Sequence, residues 1–188
     1  AFTFRNPQGG VFGAYWGILG AIGWTYLMCA MIYFFSRDRL KYLLPVWGVF
    51  ILVCLLNTPL REEFGGEPVL ALPERNFYYG MLSILHIGNG ALPAFTMGGV
   101  ILSIISARYA GKSDGWQLRN ALAATAALMV LGVASHYFWI VAKIGATPPW
   151  VFYVIAISVA LYNFLNYLVN HHITGWFNLI RPAGTATL

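Results

Sequence analysis

Residues 11–35 read VFGAYWGILGAIGWTYLMCAMIYFF, a run with no charged side chain that is closed by Arg37, Asp38, Arg39 and Lys41. At about 1.5 Å per residue, a helix of about twenty apolar residues crosses a hydrocarbon core of about 30 Å. This run is long enough, and its charged boundary is abrupt enough, to be a membrane span.

The same pattern repeats along the chain. Further apolar spans are predicted at about 40–60, 77–107, 118–144 and 151–170, separated by short polar loops. The 188 residues are 59% hydrophobic and only 9% charged, against roughly a quarter charged in ordinary globular domains. With a mean hydropathy of +0.68, the chain reads as a single all-α integral membrane bundle of about five transmembrane helices over 1–188. Pro93 is expected to kink the third span near its middle, and Thr147-Pro148-Pro149 to form a tight turn before the fifth. The polar first ten residues show no cleavable signal.

Charge sets orientation rather than partners. Arg37, Arg39 and Lys41 lie in the first loop and Arg108, Lys112 and Arg119 in the third, while the second holds Glu62, Glu63, Glu67 and Glu74. The positive-inside rule then predicts the N-terminus outside and the C-terminus cytoplasmic, as in a bacterial inner membrane. Despite a net charge of +5, no basic tract interleaved with aromatics points to nucleic acid. Cys29 and Cys54 form no CxxC and read as small core residues.

Within the spans, histidine is the main ionisable side chain, and such residues mark functional sites because leaving them unpaired in hydrocarbon is costly. His86 falls in the third span and His136 in the fourth. The two spans run antiparallel, so at about 1.5 Å per residue both imidazoles sit roughly 8 Å from the midplane on the same outer side. Two imidazoles at one depth can share a metal ion or clamp a haem iron. Gly88, Gly90 and Gly132 leave room for a flat ring. The plainer reading is that each histidine hydrogen-bonds a hydroxyl or carbonyl across a helix interface. His171 and His172 fall where a span meets water, and their rings diverge by about 100° on a helix, so they suit solvent or headgroups. Ser83, Ser103 and Ser135 have no His–Asp partners, so no catalytic residue is assigned.

The order of features over 76–150 resembles the middle of the nitric oxide reductase catalytic subunit, in the haem–copper oxidase superfamily. Phe77-Tyr78-Tyr79, His86, Met97-Gly98 and Arg108 are followed by Gly132-Val133-Ala134-Ser135-His136-Tyr137-Phe138-Trp139-Ile140, then Pro149-Trp150. The resemblance implies that His86 and His136 occupy two of three metal-binding histidine positions. It also sets Ser135 where a histidine and Gly90 where a glutamate would stand. A lesser likeness, to ferric-reductase-like haem b proteins, runs through Trp116-Gln117-Leu118-Arg119-Asn120, with Arg119 in place of a histidine.

These readings lead to an expected respiratory-type electron-transfer subunit. It would bind a haem b or a transition metal, iron or copper, through His86 and His136. Its expected partners are the lipid bilayer, other membrane subunits and a quinone or an electron-carrier protein. The competing expectation is a non-catalytic structural or pigment- or lipid-binding subunit packed against larger membrane partners. A transporter ranks below both, because no acidic residue and no Lys or Arg falls near the middle of a span.

Overall fold

The computed structural model describes residues 18–70, 77–85, 87–173 and 175–177. They form α1 (Ile18–Ser36), α2 (Leu40–Asn57), α3 (Phe77–Ile84), α4 (Ala91–Tyr109), α5 (Asp114–Phe138) and α6 (Pro148–Asn170), with a 3-10 turn at Glu62–Phe64. Five of these, α1, α2, α4, α5 and α6, are long and apolar enough to cross a bilayer. The protein is thus all-helical with a membrane-spanning architecture. Helices suit that environment because every interior backbone group is paired within its own segment.

The third span differs from its sequence expectation. It is not one helix over 77–107 kinked at Pro93 but two, α3 and α4, broken around Gly88-Asn89-Gly90. Gly88 (φ 61°) and Gly90 (φ 87°) take left-handed backbone that a helix cannot contain. Pro93 falls in the first turn of α4, where the backbone N–H has no helical acceptor to lose. The shared depth of His86 and His136, counted along a continuous third helix, therefore has no such helix to rest on.

Two other boundaries moved for local reasons. Pro148 and Pro149 do not form a separate turn; they open α6 at its first positions, which their fixed φ favours. The fourth span begins earlier and ends earlier, at Asp114–Phe138. It stops because Trp139 turns extended (φ −123°, ψ 148°). There its indole N–H donates to the Thr58 carbonyl at 3.0 Å, and the Phe138 carbonyl accepts from Arg61 N at 2.9 Å.

The core centres on α4, which packs against α1, α2 and α6. Leu43, Phe50, Cys54, Ala91, Ala94, Met97, Val151 and Ile155 are buried together there. Small residues let backbones approach, so side chains reach neighbouring carbonyls: Trp47 Nε1 donates to Ala94 O at 3.1 Å and Cys29 Sγ to Pro93 O at 3.9 Å. Cys29 and Cys54 are buried free thiols, as expected of small core residues.

α5 lies to one side, in its most extensive contact with α6. Its burial follows the helical period. Ala121, Thr125, Leu128, Gly132 and Ser135 are buried or half-buried, while Ala123, Ala127, Val130 and Ala134 on the opposite face are exposed. Both faces are apolar over this stretch.

Candidate functional site

Successive crossings sort the loops into two ends. The α1–α2 and α4–α5 links and the C-terminal end of α6 share one end, which carries Arg37, Arg39, Lys41, Arg108 and Lys112. The other end holds the 3-10 turn with Glu62 and Glu63, the α3–α4 turn and the α5–α6 link. Glu74 lies outside the described residues.

At this acidic end the loops interlock. Asn89 Nδ2 donates to the carbonyls of Gly145 (3.0 Å) and Ala146 (3.2 Å), while its Oδ1 accepts from Ala91 N at 3.2 Å. One short amide side chain thus caps the start of α4 and fastens it to the link before α6. Cys54 Sγ reaches the same Ala146 carbonyl at 3.6 Å. Thr147 closes the link on itself, its Oγ1 accepting from Ala142 N at 3.0 Å.

His136 stands in the last turn of α5 with its ring exposed. Its Nε2 lies 3.2 Å from a terminal nitrogen of Arg61. A guanidinium only donates, so Nε2 must present its lone pair and the imidazole carries its proton on Nδ1. That lone pair is the one a metal ion or haem iron would take, so Nε2 ligation at His136 requires Arg61 to move aside. Arg61 is fixed by its own backbone bond to Phe138. Its Nε is buried with no hydrogen-bond partner among the described residues. Phe64 covers the end of α5, its ring centroid 5.5 Å from those of Tyr137 and Phe138.

His86 lies outside the described residues. Its neighbours Leu85 and Ile87 belong to the α3–α4 junction, where Leu85 O accepts the indole N–H of Trp24 at 2.7 Å. Among the described residues no three His, Cys, Asp or Glu side chains converge as a metal site. Ser135 is buried and donates to Gly132 O at 3.0 Å within its own helix.

The second histidine pair sits at the basic end. His171 Nε2 is 3.3 Å from Asp114 Oδ2, joining the end of α6 to the start of α5, and its ring packs 4.2 Å from that of Tyr167. Both His171 and His172 are exposed.

Clefts open among the described helices. One of about 410 Å³ lies between α4 and the α5–α6 pair, with Trp47, Gln117, Asn120 and Asn163 among its walls. Another, of about 670 Å³, lies between α1 and α4. Arg61 and Asn89 escaped the sequence reading. Neither has a motif around it, and the partners of each are distant in sequence, 75 residues away for Arg61 and 56 for Asn89. No protein-family model matches the chain, and no curated protein or solved structure is significantly similar to it.

Proposed function

We propose that the chain is a non-catalytic membrane subunit that packs against a larger membrane partner through the outer face of α5. The observation that carries this is the exposed small-residue stripe Ala123, Ala127 and Ala134, with Val130 beside it. Contact with lipid does not call for small side chains, whereas close helix–helix packing in a bilayer does. Of α5 only Gly132 and Ser135 are buried, both on the face turned toward α6, which leaves the outer face uncovered. The basic end would face the cytoplasm, following the distribution of Lys and Arg.

The test is a photo-crosslinking amino acid placed at Ala127 or Val130 in native membranes, with Met31 on α1 as the control position. A discrete protein adduct from the α5 positions, with lipid adducts alone from Met31, is the expected result. Lipid adducts alone from every position would end this reading.

A second reading keeps the chain as an electron-transfer subunit that holds haem b, iron or copper through His86 and His136. It is favoured by the acidic-end location of both the α3–α4 junction and the end of α5, with Asn89 tying that junction to the link after His136. Against it stands the bond from Arg61 to Nε2. An oxidised-minus-reduced spectrum and a metal count on purified protein decide it. Absence of a haem band and of stoichiometric iron or copper would remove it.

A further inference from the structure

We infer that the basic end of the α1–α4 cleft is a binding site for one anionic glycerophospholipid of the adjoining leaflet. Two adjoining features carry this, and neither depends on whether α5 meets a partner. The first is the cleft of about 670 Å³, walled by apolar and small side chains that include Tyr26, Cys29, Ala30, Val100, Ile104 and Ala107. The second is an open bowl at its mouth, lined by Arg37, Arg39, Lys41 and Arg108 with the single carboxylate of Asp38. Asp38 and Arg108 line both, so the bowl adjoins the cleft.

Length identifies the tenant. Along α4 the cleft runs from Thr96 to Arg108, about 18 Å of helix at 1.5 Å per residue. Half of a hydrocarbon core is about 15 Å. The cleft is therefore one leaflet deep, the reach of one acyl chain whose headgroup rests at the surface.

Charge identifies the headgroup. Four cations and one carboxylate give the bowl a net charge of +3. The carboxylate is engaged, with Asp38 Oδ1 accepting the Tyr33 hydroxyl at 2.7 Å. Arg108 donates to the Asp38 carbonyl at 2.7 Å, which fixes the α1–α2 turn against the end of α4 and holds the bowl open beside the cleft. Its guanidinium has five N–H donors, so that bond leaves others for a phosphodiester. Basic pockets between membrane helices bind anionic headgroups on this physical ground.

The test reconstitutes the full chain in vesicles of equal phosphatidylcholine and phosphatidylglycerol, extracts it in mild detergent and counts retained lipid by native mass spectrometry. One phosphatidylglycerol per chain, retained over phosphatidylcholine, is expected. At about fivefold per cation, Arg39→Gln with Lys41→Gln lowers retention about 25-fold, whereas Arg39→Lys with Lys41→Arg keeps it. Both side chains are exposed, so the fold does not depend on them. Ala30→Trp, which fills the cleft without touching charge, also reduces retention. Equal retention of the two lipids, an unaffected Gln pair or an unaffected Ala30→Trp each overturns the proposal. So does full displacement by inorganic phosphate, which would mark an anion site with no use for an acyl chain.

Discussion

The α2–α4 and α5–α6 contacts both depend on a glycine, but the two glycines face different kinds of neighbour. A Cβ built on Gly90, at the start of α4, would lie 2.6 Å from the Phe50 carbonyl oxygen and 3.1 Å from Cys54 N. Those are helix backbone atoms, held by their own hydrogen bonds. On Gly132, in α5, the Cβ would lie 2.6 Å from the Tyr153 ring. A ring at the end of a side chain can turn away. The central contact is rigid where the peripheral one is compliant, and this ranks how mutations in the two regions should behave.

Gly90→Ala should have the largest effect. It meets backbone it cannot displace and needs a left-handed φ, so a loss of more than about 3 kcal/mol is expected. Denaturant titration of the protein in detergent measures it, and a change below about 1 kcal/mol would show that the α2–α4 approach can relax. Gly132→Ala should cost about 1–3 kcal/mol, and Tyr153→Leu in the same chain should recover most of it. Failure of that recovery would mean the ring is not what limits the approach.

Gly88→Ala separates backbone conformation from space. Its φ is also positive, but nothing lies within 4 Å of a built Cβ, so about 1 kcal/mol is expected. A loss as large as that of Gly90→Ala would remove the role given to Phe50 and Cys54. The smallest effect belongs to Asp114→Asn. The pair it breaks with His171 is exposed, and less than about 0.5 kcal/mol should be lost. A greater loss would make the α5–α6 pair less dependent on its packing than its close contact at Gly132 implies.

Much of the fold was legible in the residues themselves. Uninterrupted apolar runs between charged loops gave five membrane-length helices, and the two isolated cysteines were correctly placed in the core. The break at Gly88-Asn89-Gly90 was harder to read. Three small residues in an uncharged run suit a close-packed helix as well as a turn, and the choice lay with Asn89 finding the carbonyls of Gly145 and Ala146. The candidate site was only half legible. His136 was singled out for being ionisable in a span, but its partner Arg61 sits in a loop with nothing local to connect them.

The sequence by itself determined the number and the helical state of the spans. Lipid offers no hydrogen bonds, so an apolar run must satisfy its backbone locally, and a local rule can be read locally. Tertiary structure alone decided where the third span breaks, which lone pair of His136 is occupied and which basic residues share one bowl. Each of these depends on short-range bonds between groups far apart in sequence, and their geometry exists only once the helices have packed.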